Sequence, residues 1–296
     1  MPKTRIGFVG IGLMGTGMAR NLISAGFPVS VYDIDRKNCS AIVQEGGTET
    51  EDPAQLANHS DVIILSLPNS HVVNEVVKHS LKLFETEKKG LILLDTTTAD
   101  PILSETLALE LLEKEIFMLD VTLSGTAIMC AERDLTLMVG GKEAIYQQCE
   151  AIFNAIAKQF FYLGKNGSGA LMKLIVNLVL GLNRMVLAEG LALGEQAGME
   201  SSRVLEILKN SAAYSKAMDM KGDRMVEKNY RNPEGKLAFH RKDVGLILDL
   251  GKRLDFPLPL SSVHAQALAS LVAKDRGEWD NASIISFYKD LVNSDS

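Results

Sequence analysis

Lys173 and Asn177 are the residues whose types and spacing most suggest chemistry. They stand four positions apart in the apolar run Ala170-Leu-Met-Lys173-Leu-Ile-Val-Asn177-Leu-Val-Leu-Gly-Leu-Asn183. The run reads as a buried helix, and a spacing of four puts both side chains on one face of it. An amine held among apolar neighbours can give or take a proton in a reaction. It can equally be a lysine that lays its stem along the core and carries its charge to the surface, because burying an unpaired charge is costly. The residues that precede the run decide between these readings.

The first of them is a phosphate-binding pattern. Arg5-Ile-Gly-Phe-Val9 is a short apolar strand, Gly10-Ile11-Gly12-Leu13-Met14-Gly15 follows, and Thr16 to Ala25 reads as a helix closed by Gly26. Strand, GxGxxG and helix are the context that a dinucleotide fingerprint requires. Gly10 makes the tight turn, Gly12 admits the pyrophosphate, Gly15 lets the helix pack on the strand, and the phosphate charge meets the helix N-terminus. A second strand, Pro28-Val-Ser-Val-Tyr32, ends at Asp33, near the roughly twenty-residue interval at which a carboxylate reaches the ribose hydroxyls. A carboxylate there repels a 2′-phosphate, so NAD is expected over NADP, with Arg36 and Lys37 as nearby cations that temper the preference.

The alternation continues through Asp61 to Leu67 and Leu91 to Asp95, near-continuous hydrophobic runs that suit parallel strands covered on both faces. Further strands are expected at Ile116 to Leu119, Leu135 to Val139 and Phe160 to Leu163. Ligands of such a sheet collect beyond the carboxyl ends of its strands, where Leu67-Pro68, Thr97-Thr98 and the Ser124-Gly125 turn fall. Asp95 to Thr98 reads as a polar turn or as hydroxyls facing a nicotinamide. Asp120 to Thr126 reads as a structural turn or as a small concavity of hydroxyl and N–H groups suited to a carboxylate.

After Gly164-Lys-Asn-Gly167-Ser168-Gly169 a long helix is expected to about Ala197, with Ser168 as its N-cap. From Ser201 onward the patterns are helical: Ser201 to Asn210, Ala213 to Glu227, Leu237 to Leu254 and Leu260 to Lys274. The expected fold is α/β, an N-terminal Rossmann dinucleotide-binding domain over 1–164 and an all-α domain over 165–296. The helix at 165–197 would join them.

The 296 residues exceed a usual single core, and 46% hydrophobic with 23% charged residues describe an ordinary globular chain. A formal charge of −6 with no basic stripe speaks against nucleic-acid binding. Cys39, Cys130 and Cys149 are odd in number and far apart, as reduced core thiols of a cytoplasmic protein are, and neither they nor the histidines show metal-ligand spacing. Lys173, Asn177, Asn183, Arg184 and Glu189 interrupt the apolar run, which argues against a membrane span. No secretory signal is expected at the N-terminus.

These residues resemble the β-hydroxyacid dehydrogenase family, which includes 3-hydroxyisobutyrate dehydrogenase and tartronate semialdehyde reductase. Gly7 to Ala19 looks like its N-terminal signature, Asp120 to Gly125 its D-x-x-x-S-G-G segment, Gly167-Ser-Gly169 with Lys173 and Asn177 its catalytic segment, and Lys242-Asp243 its C-terminal pair. The resemblance implies a small hydroxyacid substrate and Lys173 as the acid/base. Asn177, Ser124 and Gly125 would bind the substrate; Leu67, Pro68 and Thr98 would line the cofactor, and Lys242 would lie near the nicotinamide. It also implies a homodimer or homotetramer. An apolar helix and a cationic nicotinamide would both disfavour the ammonium form of Lys173. Two positions depart from the family pattern. Thr126 replaces a glycine and would narrow the pocket or restrict the turn, and Val176 replaces a frequent asparagine. The competing readings are a threonate dehydrogenase, a decarboxylating sugar-acid dehydrogenase, an imine reductase, or a dinucleotide-binding module without catalysis.

Overall fold

A computed structural model of the chain describes residues 3–292. By packing, the chain divides into two compact units, Met1–Lys173 and Leu174–Ser296.

In the first unit eight strands form one sheet: β1 (Ile6–Val9), β2 (Val29–Tyr32), β3 (Thr48–Glu49), β4 (Val62–Leu65), β5 (Ile92–Asp95), β6 (Phe117–Ser124), β7 (Thr136–Gly141) and β8 (Gln159–Tyr162). Their order is β3-β2-β1-β4-β5-β6-β7-β8. The continuous apolar runs have a simple cause. Successive side chains of a strand point to opposite faces, and here each face meets its own core. Val62 and Ile64 of β4 enter one hydrophobic cluster with Phe8, Ile92 and Leu94, whereas Ile63 and Leu65 enter another with Val9 and Leu93.

The sheet is parallel from β3 through β6, then reverses, because β6 and β7 pair antiparallel. The reversal corrects the reading of Asp120 to Thr126 as a loop. β6 continues to Ser124, with Asp120 opposite Gly140 and Ser124 opposite Thr136. The backbone of 120–124 is therefore extended and paired with β7, and only the positions after Ser124 turn. Cys39, Cys130 and Cys149 are buried and unpaired. Burial pushes the thiols of Cys130 and Cys149 up to about 11 and about 12, which leaves them poor nucleophiles at neutral pH.

The long helix spans Ser168–Gln196. It is long and apolar enough to cross a bilayer by composition, yet Asn177 and Arg184 within it are buried against protein. The second unit continues with helices Ser201–Lys209, Lys216–Val226, Leu237–Arg253 and Pro259–Ala273. A 3-10 turn at Asn281–Ile284 and a helix at Ile285–Val292 were not expected from the sequence. The turn begins at Asp280, which is fully buried. Its carboxylate caps the turn by accepting the Ala282 N–H at 2.9 Å and pairs with Lys221 Nζ at 2.9 Å.

Candidate active site

The register places the expected cofactor-lining residues of the first unit at one end of its strands, while Lys242 lies in the second unit. Val9 is level with Tyr32 and with Leu65, Leu65 with Asp95, and Asp95 with Asp120. The segments after these strands hold Gly10 to Gly15, Asp33, Leu67-Pro68 and Thr98, all at the carboxyl ends of adjacent strands.

The glycine loop has room for a dinucleotide phosphate. Gly10 sits at φ +93°, and a Cβ there would strike the Ser66 carbonyl. At Gly12 an added Cβ would meet nothing within 4 Å, so this face of the loop is open to a close ligand. Gly12 also caps the helix Leu13–Ser24, which has no side-chain cap and no acidic residue in its first turn. Its N–H groups and dipole thus suit an anion. Asp33 accepts from the Ile11 N–H at 2.6 Å through Oδ2, and from the Asp35 N–H at 2.8 Å through Oδ1. Leu67 and Thr98 are half-buried and Pro68 is exposed. The Leu67 N–H donates to Thr97 Oγ1 at 3.2 Å.

Strand β6 is the next strand of the sheet beyond β5. Ser124 ends it, and Gly125 and Thr126 follow, all half-buried. Asp120, in the same strand, is 1% exposed and accepts the N–H of Gly167 and of Ala170 at 2.9 Å each. Burial pushes its carboxyl up while these N–H groups hold it down, with burial the larger effect. Thr122 Oγ1 donates to the Gly169 carbonyl at 2.8 Å, and Gly169 lies so close that a Cβ would meet the carbonyl oxygens of Asp120 and Met138 at 2.5 Å. The start of the long helix is thereby fixed to β6. Lys173, half-buried, is one turn further on.

Two expectations are corrected here. Ser168 is not the N-cap: it is already the first helical residue, and the free N–H groups are satisfied from outside the segment by Asp120. Thr126 does not restrict the turn. It has an extended backbone at φ −98°, and its Oγ1 caps the helix Ala127–Ala131 by accepting the Met129 N–H at 3.3 Å. No glycine conformation is needed at that position.

In the second unit the structure brings together Asn177 and the Lys242-Asp243 pair. Asn177 is 6% exposed, and its Nδ2 donates to Asp243 Oδ2 at 2.9 Å. Lys242 Nζ lies 3.1 Å from Asp243 Oδ1. Arg184 is buried on the same long helix. Burial pulls its guanidinium down to about 10, against the upward pull of Asp280 and Asp243. Asp243 thus faces an amide and two cations. Its role as the residue that orients Asn177 was missed in the sequence, although its place in a Lys-Asp pair was a usable signal. Val176, next to Asn177, is half-buried, and nothing in the structure explains its departure from asparagine.

The chain matches two family models that together span most of it. Residues 5–164 match the NAD binding domain of 6-phosphogluconate dehydrogenase, and residues 167–288 match the NAD-binding domain of NADP-dependent 3-hydroxyisobutyrate dehydrogenase. It belongs to the β-hydroxyacid dehydrogenase family. The chain is 30% identical over 288 residues to 2-(hydroxymethyl)glutarate dehydrogenase of Eubacterium barkeri, covering 97% of this chain and 96% of the relative. It is 28% identical to 2-hydroxy-3-oxopropionate reductase of Escherichia coli (strain K12), with 98% of both chains covered. The crystal structure of 3-hydroxyisobutyrate dehydrogenase from Salmonella typhimurium superposes with a TM-score of 0.88 at 25% identity, over 96% of this chain and 99% of that one. As a β-hydroxyacid dehydrogenase the protein is an NAD(P)-dependent oxidoreductase acting on a CH–OH group.

Proposed function

We propose that this enzyme interconverts a small 3-hydroxyacid and its semialdehyde or 3-oxo form, with NAD as the preferred cofactor and Lys173 as the proton donor and acceptor. The observation that carries the reading is the double duty of β6. One strand ends in Ser124, suited to a substrate carboxylate, and through Asp120 and Thr122 it also anchors the helix turn that leads to Lys173.

The names of the relatives narrow the substrate class. 2-(Hydroxymethyl)glutarate, the reduction product of 2-hydroxy-3-oxopropionate, and 3-hydroxyisobutyrate share a CH2OH group on the carbon that bears the carboxylate. They differ in the third substituent of that carbon. A 2-substituted 3-hydroxypropionate is thus the proposed substrate class for this chain.

Bound nicotinamide would accept hydride from the substrate carbon in oxidation and return it in reduction. In oxidation the neutral Lys173 amine takes the hydroxyl proton as the C–H electron pair departs, and the C=O bond forms. In reduction the ammonium returns that proton to the developing alkoxide. Ser124 and Gly125 hold the carboxylate, with Thr126 shaping the turn beside them, and Asn177, set by Asp243, orients the substrate. Lys242 contributes on the nicotinamide side. Incubation of the protein with NAD and a panel of 2-substituted 3-hydroxypropionates should give NADH with at least one of them. A panel without turnover in either direction would refute the substrate class.

The proposal includes a cytoplasmic location, checked by cell fractionation, and a homodimer or homotetramer. Ile175, Val179, Val186 and Leu193 lie within about 40° of one another around the long helix at 100° per residue, and they are 46% to 70% exposed. Such an apolar stripe supports a protein contact. Light scattering should give a mass at least twice that of the 32.2 kDa chain, falling towards the monomer in Val186→Glu/Leu193→Glu. A monomeric wild type would overturn this part.

A further inference from the structure

We propose that Glu49 and Glu51 determine cofactor choice by holding Arg36 as an already paired cation, so that it is withheld from the 2′-phosphate of NADP. The inference deepens the proposed preference for NAD and rests on a dinucleotide binding beside Asp33.

The arrangement follows from the strand order. Asp33 follows β2 directly, and Arg36 precedes the helix Lys37–Gln44. β3 lies at the sheet edge beside β2, with Glu49 level with Val31, so its carboxylate reaches the segment after β2. Arg36 Nε donates to Glu49 Oε1 at 2.7 Å, and Arg36 Nη2 pairs with Glu51 Oε1 at 2.9 Å. A guanidinium grips a phosphate through two adjacent N–H groups in one plane, and the Nε–Nη2 edge of Arg36 is taken by the two carboxylates. The Cys39 thiol, in that helix, is pushed up first by burial and then by Glu49 and Asp33, and down by a hydrogen bond with the Asp33 backbone and then by Arg36.

The charge balance acts in the same direction. Asp33, Asp35, Glu49 and Glu51 outweigh Arg36 and Lys37 in this stretch, so an incoming dianion meets a net negative surface. The sequence suggested that Arg36 tempers the exclusion of NADP. In the fold its charge is answered locally. Asp33 acts on the ribose, whereas Glu49 and Glu51 act through Arg36. Arg36 and Glu51 are exposed, at 62% and 77%, and Glu49 is half-buried at the sheet edge; pairs this open to solvent add little to stability, so their removal should leave the fold intact.

Binding of NADH and NADPH to the intact protein, followed by nucleotide fluorescence or calorimetry, separates the roles without any substrate. Glu49→Gln/Glu51→Gln should bind NADPH about tenfold more tightly, the order of one charge-assisted hydrogen bond, and NADH within about twofold of wild type. Adding Arg36→Ala to that variant should abolish the gain, whereas Arg36→Ala alone should change NADPH affinity by less than about twofold, since a paired cation contributes little. An unchanged NADPH affinity in the double glutamine variant, with NADH binding intact, would overturn the inference and leave the proposed function standing. So would a gain that survives Arg36→Ala. Failure of the wild-type protein to bind NADH would overturn both.

Discussion

Lys173→Ala is expected to lower turnover by about 10²- to 10⁴-fold, the usual contribution of a positioned acid or base, while NADH affinity changes little. The side chain stands one turn after the Gly169 contact that fixes the helix to β6, so the backbone that carries it has support independent of the lysine. Loss of the amine should therefore remove proton transfer and leave the dinucleotide half intact. Two further variants distinguish chemistry from packing. Lys173→Arg keeps a cation but cannot readily yield a neutral base, because a guanidinium stays protonated at working pH; it should remain inactive. Added small primary amines should partly restore turnover to Lys173→Ala, with stronger rescue from amines whose pKa lies nearer the assay pH. Steady-state kinetics beside nucleotide binding measures all of this. Turnover within tenfold of wild type would remove Lys173 from its assigned role.

Asp120→Ala is expected to destabilise the first unit by about 3 kcal/mol, because it leaves the buried N–H groups of Gly167 and Ala170 without an acceptor, each at a cost of about 1–3 kcal/mol. Part of this loss is offset, since the carboxylate is itself costly to bury, as its upward shift shows. The sign of that shift also has a pH consequence. A carboxyl raised in the folded state binds its proton more tightly there than in the unfolded chain. Its stability contribution is thus greatest below the ordinary carboxyl value of 3.8 and declines as pH rises through the raised folded value. The wild-type protein should show this slope and Asp120→Ala should lack it. Thermal unfolding and amide exchange at residues 167–170 are the measurements, with faster exchange expected first at the start of the long helix. Because Lys173 depends on that start, activity should fall at temperatures where the fold still holds. An unchanged melting temperature would show that water or neighbouring groups satisfy these N–H groups without Asp120.

The two substitutions also show how far the site was legible in advance. Lys173 was visible because a charged residue interrupts an apolar run, an anomaly that local pattern reveals. In the sequence Asp120 is a polar residue after a short apolar strand, at the start of a stretch that reads as a turn or as an anion-binding concavity. Its partners lie 47 and 50 positions away in the chain, and no periodicity reports such a pairing. The same holds for Asn177 and Asp243, which are 66 positions apart. The cap at Thr126 is a gentler case. Thr126 is a residue type suited to an N-cap, and its Oγ1 takes that place by accepting the Met129 N–H.

By itself the sequence determined the class of the fold and its longer elements. The period of apolar residues, the glycines at 10, 12 and 15 and the break at 164–169 specify a dinucleotide-binding half followed by helices, because propensity and turn chemistry act over a few residues. It also marked Lys173, Asp33 and Ser124 as chemically apt. Only the tertiary structure decided that β6 runs on to Ser124 and pairs antiparallel with β7, that Asp120 caps a helix from another segment, that Asp243 holds the Asn177 amide, and that Glu49 and Glu51 answer the charge of Arg36. Each of these is a hydrogen bond or ion pair between residues from separate elements. Strand order and register, set by which apolar faces can be buried together, bring such partners into reach.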